Sequence, residues 1–94
     1  MRKSYVYILT NKPEGVLYIG VTSNLSQRLD QHHTMQEESF VKKYKLNHLV
    51  YVEEFTSIVD AIAREKQLKN WQRQWKIELI GSINPSWENW AQRS

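Results

Sequence analysis

Residues 4–10, "SYVYILT", and 16–21, "VLYIGV", are two short runs of β-branched and aromatic residues on either side of "NKPEG". Runs of this length, bounded by proline and glycine, read as the two strands of a hairpin. A four-residue loop, Asn11 to Glu14, pairs Thr10 with Gly15 and sets Tyr7 opposite Tyr18. Because side chains alternate along a strand, Tyr5, Tyr7, Leu9, Val16, Tyr18 and Gly20 then share one face, and Val6, Ile8, Leu17, Ile19 and Val21 share the other. The second face is wholly aliphatic and is the expected core. The first carries two opposed phenols beside a glycine. Cross-strand tyrosine pairs are ordinary sheet packing, so the pair alone does not mark a site.

The remaining chain alternates helices with one more strand. Ser23 or Asn24 can cap a helix that runs through about His33, and "HLVYVEEF", residues 48–55, reads as the third strand. "SIVD" from Ser57 resembles a capping box with Asp60 in place of the usual glutamate, and Ile58, Ala61, Ile62 and Leu68 trace an inner stripe behind it. A third helix is expected over Trp71 to Ile80, ending before Gly81. Asn84-Pro85 reads as an N-cap followed by proline at a first helical position, opening a short turn through Trp87 and Trp90. Strands and helices in this proportion suggest an α+β fold. With 94 residues, 40% of them hydrophobic, and no repeat or linker, a single domain over 1–94 is expected, with a short C-terminal extension from about 82.

Composition removes several classes of function. There are no cysteines, so neither a disulfide framework nor a thiolate zinc site can form. No stretch approaches membrane-spanning length and no signal-peptide pattern opens the chain, so a soluble, cytoplasmic protein is expected. The net charge of +3 says little about partners, but its distribution says more. Arg64, Lys66, Lys69, Arg73 and Lys76 crowd one segment with a single acid, Glu65, while Lys42, Lys43 and Lys45 form a second cluster. A basic helix interleaved with Trp71 and Trp75 fits a nucleic-acid backbone, and a solvated amphipathic helix would look much the same.

Two residues disturb otherwise apolar helix faces. Arg28 falls on the face of Leu25, Leu29 and His32, where a guanidinium is costly unless it meets an anion, lines a cleft or snorkels along the edge. Glu65 lies three residues after Ile62 and three before Leu68, in the middle of the inner stripe. It can pair with Arg28 as a structural ion pair or hold a divalent cation at the mouth of a cleft, and periodicity does not choose between them.

Tyr5-Val6-Tyr7, then Tyr18-Ile19-Gly20, then Arg28 with His32 four residues on, then Glu65 on a helix, together resemble the GIY-YIG nuclease superfamily. Its members include the N-terminal endonuclease domain of an excision-repair nuclease and intron-encoded homing endonucleases, and this chain looks most like the small stand-alone bacterial ones. "YIG" is intact, whereas the first motif has Tyr and Val where the family name has Gly and Ile, leaving Tyr7 in place. The resemblance implies a three-stranded antiparallel sheet flanked by helices. It also implies hydrolysis of a phosphodiester in nucleic acid, DNA before RNA, with one divalent cation, Mg²⁺ or Mn²⁺, on Glu65. Arg28 would hold the phosphate, one of Tyr7 and Tyr18 would take a proton from the attacking water, and His32 would assist. Asn84 is the candidate for the family's closing asparagine. Lys42, Lys43, Lys45, Lys66, Lys69, Arg73 and Lys76 are the expected backbone contacts. DNA repair or recombination, with structure-specific cleavage, is the expected setting. A non-cleaving nucleic-acid-binding module, or a subunit that needs a protein partner for targeting, is the alternative. A third class, a protein-interaction adaptor, would expose Trp71, Trp75, Trp87 and Trp90, although four tryptophans in a small domain more often pack its core.

Overall fold

The computed structural model describes residues 3–30, 46 and 48–90, with 28–30 by their backbone alone. Three strands, β1 (Ser4–Thr10), β2 (Leu17–Thr22) and β3 (His48–Phe55), form one antiparallel sheet in the order β2-β1-β3. Helix α1 (Leu25–Asp30) follows β2, and α2 (Ile58–Asn70) and α3 (Arg73–Ile83) follow β3. The α+β class and the three-stranded antiparallel sheet are therefore as expected.

The hairpin register differs by two residues from the expected one. Thr10 pairs with Leu17, Leu9 with Tyr18 and Tyr7 with Gly20. The reason lies in the loop. A tight turn spans Lys12 to Gly15, where the Gly15 N–H donates to the Lys12 carbonyl at 2.9 Å, Pro13 presets the first corner and Glu14 takes the left-handed second corner at φ 55. Asn11 does not pair through its backbone, because its side-chain oxygen accepts the Val16 N–H at 3.0 Å and closes the loop one step wider. A slip of two keeps every side chain on its face, so the sorting of the sheet survives while the opposed pairs change.

Two apolar clusters flank the sheet. Val6, Ile8 and Ile19 meet Val50, Tyr51, Ala61, Leu68, Ile80 and Trp87 on the aliphatic face, whereas Tyr7 and Leu9 meet Leu46 and Leu49 on the other, with Tyr18, Leu25 and Trp90 packed against them. A bulge in β3 explains why Val50 and Tyr51 both point into the first cluster: Ile8 pairs with Tyr51 and Leu9 with Leu49, leaving Val50 as the extra residue.

The helices depart from the expected stripes at several points. Ser57 caps α2, its hydroxyl accepting the Val59 N–H at 3.2 Å, but only Ala61 and Leu68 of the expected stripe are buried. Ile58 and Ile62 stay 43% and 37% exposed, because α2 meets the sheet with Ala61 at its closest approach. The chain breaks at Trp71 and Gln72, both extended, and α3 then runs straight through Gly81 to Ile83. Asn84 is the C-cap of α3, its N–H bonded to the Ile80 carbonyl at 2.7 Å, and it also opens the expected short turn, its carbonyl accepting the Trp87 N–H at 2.9 Å, although residues 85 and 86 form a turn and not a helix.

Gly20 is required by a close approach. A Cβ there would lie 2.5 Å from both Cζ and Oη of Tyr7. Gly20→Ala should destabilise the fold by about 1–3 kcal/mol through that overlap. Gly81→Ala, with nothing within 4 Å of its Cβ position, should instead stabilise α3 by up to about 1 kcal/mol. Denaturant melts of the two variants should therefore move in opposite directions.

Candidate active site

The tyrosines of the two motif strands are brought together. Tyr7 and Tyr18 stand diagonally on one face, ring centroids 6.4 Å apart and planes tilted by 45°. Their environments are unlike. Tyr7, on the central strand, is 0% exposed, its ring seated over the Gly20 backbone. Tyr18, on the edge strand β2, is half-buried. Only the second phenol meets solvent.

Glu65 comes from the other layer. Helix α2 packs on the aliphatic face through Ala61 and Leu68 and lies over β1 and β2. Glu65, four residues after Ala61 and three before Leu68, lies beside them on the same helix face, so its side chain is only 15% exposed although the helix surface around it is charged. Helix α1, by contrast, joins the tyrosine side through Leu25. The tyrosines and the helix that carries Glu65 therefore lie on opposite faces of the sheet, with β2 as an edge strand between α1 on one face and α2 on the other. Arg28 is placed by its backbone on α1, capped by Asn24, whose side-chain oxygen accepts the Gln27 N–H at 3.1 Å. His32, Lys42, Lys43 and Lys45 lie outside the described residues.

Glu65 forms an ion pair with Lys69, Nζ to Oε2 at 2.9 Å. Lys69 is half-exposed and one turn away on the same helix, a pair worth a few tenths of a kcal/mol and easily exchanged for another cation. No group of three or more histidine, cysteine, aspartate or glutamate side chains comes together among the described residues. One hard carboxylate does not fit a zinc-type site, but it does fit Mg²⁺ or Mn²⁺, ions that keep several of their waters.

Of the other described basic residues, Lys66 is exposed and Lys76 half-buried. Arg73 crosses to the hairpin, where Nη2 donates to the carbonyls of Glu14 and Gly15 at 2.5 and 2.6 Å. It holds the strained turn as well as carrying charge. Asn84 is 3% exposed and its amide is fully engaged: Nδ2 donates to the carbonyls of Val50 and Glu88 at 3.1 and 2.9 Å, and Oδ1 accepts the Glu88 N–H at 3.0 Å. The carbonyl it satisfies at Val50 is that of the bulge. The tail beyond it closes the β3 edge, with Leu49 donating its N–H to Asn89 Oδ1 at 2.9 Å and accepting the Trp90 N–H at 2.7 Å.

One arrangement is not anticipated from the sequence, in which Arg64 figures only as a member of the basic cluster. The Tyr51 hydroxyl donates to Glu53 Oε2 at 2.5 Å, Arg64 Nε donates to Glu53 Oε1 at 2.9 Å, and Arg64 Nη1 donates to Gln67 at 2.6 Å. This brace ties β3 to α2 one residue before Glu65 and so sets the rotation of the helix that presents it. A signal is present, since Tyr51 and Glu53 are two apart on a strand and Arg64 lies on the same stripe as Ala61 and Leu68. Burial first, and then the bond to the Glu53 carboxylate, push the Tyr51 hydroxyl up to about 12.

The GIY-YIG catalytic domain model matches residues 3–78. A UPF0213 protein of Staphylococcus haemolyticus is 36% identical over 80 residues, which are 85% of this chain and 96% of that protein. A UPF0213 protein of Staphylococcus aureus is 32% identical with the same coverage of both chains. The solution NMR structure of a UPF0213 protein from Bacillus halodurans matches with a TM-score of 0.59 at 26% identity, covering 93% of this chain and 92% of that one.

Two measurements check the supports of the site. Asn84→Ala should cost about 1–3 kcal/mol in a denaturant melt, because the Val50 carbonyl and the Glu88 N–H lose their partners in a buried place. For Tyr51, the folded chain holds the phenolic proton more tightly than the unfolded chain does. That share of stability is present below the ordinary phenol pKa near 10 and is lost as pH rises toward about 12. Tyr51→Phe should flatten the loss of stability over that interval, read from melts at successive alkaline pH values.

Proposed function

Because the chain belongs to the GIY-YIG family, a nuclease superfamily, we propose that it is a metal-dependent endonuclease that hydrolyses phosphodiesters in DNA. The observation that carries this reading is the tyrosine pair, Tyr7 seated over Gly20 with Tyr18 beside it at 6.4 Å on the edge strand. Family membership implies a nucleic-acid substrate; DNA, structure-specific cleavage and a place in repair or recombination are our reading.

In this reading Tyr18, the phenol in contact with solvent, takes the proton of the attacking water, and Tyr7 holds it in place from below. A phenol is a weak base at neutral pH, so it needs positive charge nearby to favour its ionised form. Arg28 supplies that charge and binds the phosphate with its fork of donors, which can follow charge as it builds on the phosphate oxygens. His32, four residues after Arg28, assists by hydrogen bonding. Glu65 is the residue that would hold one Mg²⁺ or Mn²⁺, which when bound supplies charge neutralisation at the phosphate and the leaving oxygen. Lys69, half-exposed and held to Glu65 by a single ion pair, would be available to the backbone of the substrate. Lys66 and Lys76, with Lys42, Lys43 and Lys45, add further phosphate contacts.

A second reading is favoured by the Lys69–Glu65 pair itself, which already neutralises the carboxylate. Under it the chain is a non-cleaving nucleic-acid-binding module, or a subunit that cleaves only once a protein partner has displaced Lys69.

Glu65→Gln separates the two. The change removes the charge a hard cation needs while keeping shape, and it breaks only one i,i+4 ion pair whose lysine is half-exposed, so thermal melts should hardly move. Cleavage of labelled linear, flapped and branched DNAs in Mg²⁺ or Mn²⁺ should fall about a thousand-fold or more, in line with the several kcal/mol a polarising cation supplies. Binding measured in a chelator should stay unchanged. Wild-type protein that binds every member of the panel and cleaves none refutes the hydrolytic reading for the isolated chain.

A further inference from the structure

The corner between α2 and α3 places a tryptophan where packing does not need it. Trp75 is 49% exposed on the first turn of α3. It is nevertheless held. Trp71 stands against it edge to face, centroids 6.0 Å apart and planes at 85°. Trp71 in turn packs on the aliphatic core and carries the Arg64 guanidinium 5.2 Å from its ring centroid. The start of α3 is pinned as well, through the bonds of Arg73 to the hairpin turn. The result is a rigid ring with a large part of its surface in water.

The charge around that ring is mainly positive, with Glu78 one turn beyond it on α3 as an exposed acid. Between Ala61 and Ile77 the acid is Glu65, against Arg64, Lys66, Lys69, Arg73 and Lys76. We infer that Trp75 is a stacking platform for an unpaired nucleobase, so that this corner binds a single-stranded segment of nucleic acid. The inference rests on the reading that the chain acts on nucleic acid, and it names the kind. A single strand offers both complements at once, a flat π face for the indole and a phosphate backbone for the lysines. In a duplex the base faces are already stacked on one another, so a duplex offers only the phosphates. An acidic protein segment offers charge without a flat aromatic face.

Position favours the same partner. Trp71 follows Glu65 by six residues, about 9 Å along the helix axis, and the Trp75 ring centroid is a further 6.0 Å from that of Trp71. Bases along a strand are spaced by about 3.4 Å, so a base on Trp75 leaves the phosphate at Glu65 only a few nucleotides away. The substrate this geometry suits is one in which an unpaired stretch adjoins the scissile bond, as at a flap or a branch.

The test is binding in a chelator, where cleavage cannot contribute. A labelled mixed-sequence single strand and a hairpin duplex of the same length are titrated with wild type, Trp75→Ala and Trp75→Phe, following anisotropy and indole fluorescence. Trp75→Ala should weaken single-strand binding by between about five-fold and about 150-fold, the range of one base–aromatic stack, and leave duplex binding within about two-fold. Trp75→Phe should retain most of the affinity. The single strand should quench wild-type fluorescence more than it quenches that of Trp75→Ala. Since the ring is half-exposed, melts of both variants should match wild type. Equal losses on both ligands, or none on the single strand, overturn the platform and leave the ring to a protein partner. A selective loss in Trp75→Ala, together with wild type that cuts no DNA with Mg²⁺ or Mn²⁺, upholds the platform while the hydrolytic reading fails.

Discussion

The placement of Tyr7 over Gly20 is the contact on which the arrangement of the sheet turns. The central strand has neighbours on both sides, so a ring standing on it finds room only where the facing residue has no side chain. Gly20 supplies that gap directly across from Tyr7, and a Cβ would fill it. With the ring laid over the β2 backbone, Tyr18 is left diagonal to it and nearer the strand edge. The two motif tyrosines are thus made unequal by packing, one sealed and one open, before any chemistry is considered.

The two edges of the sheet are treated differently. At β3 the polar groups of Leu49 are taken up by Asn89 and Trp90, and Asn84 ties the bulge carbonyl to the same tail. An edge closed in this way offers no template for another chain. At β2 the flanking elements are α1 on the tyrosine face and α2 on the aliphatic face, so groups from both layers can approach one strand from either side. The C-terminal segment, which reads in the sequence as an extension, therefore contributes to the same division: it closes one edge, while the other is flanked by a helix on each face.

Strand identity and face are legible in the sequence because period-two patterning survives a register error. The opposed pairs are not, since the register depends on Asn11 using its side chain in place of its backbone, a choice that leaves no trace in hydrophobic pattern. Helix α2 is legible as a helix but not as a stripe. Ile58 and Ile62 look like core residues, yet the polar Arg64 and Glu65 occupy more sheltered positions, because the sheet surface beneath them carries Glu53 as well as aliphatic groups. Asn84 misleads for a related reason. An asparagine before proline suits a helix start, and only the bulge at Val50 and the backbone of Glu88 explain why it sits at a helix end instead. Arg73 reads as surface charge, whereas the hairpin turn it holds is distant in sequence and invisible to local pattern.

The brace of Tyr51, Glu53 and Arg64 bears on how a single carboxylate can serve as a site at all. A lone glutamate on a surface helix samples several rotamers, and the helix itself can rock on an aliphatic face that has no directional contacts. Bonds from Arg64 to Glu53 are directional, and they grip α2 at the residue adjoining Glu65. The guanidinium also rests on Trp71 at the far end of the same helix segment, so one side chain fixes both the rotation of α2 and the bracing of the corner beyond it. In the proposed reading the carboxylate and the stacking ring are therefore positioned by a common residue that need touch neither cation nor strand. That coupling makes the distance between the two groups a property of the fold, which is what a nuclease needs if it is to cut at a set spacing from an unpaired base.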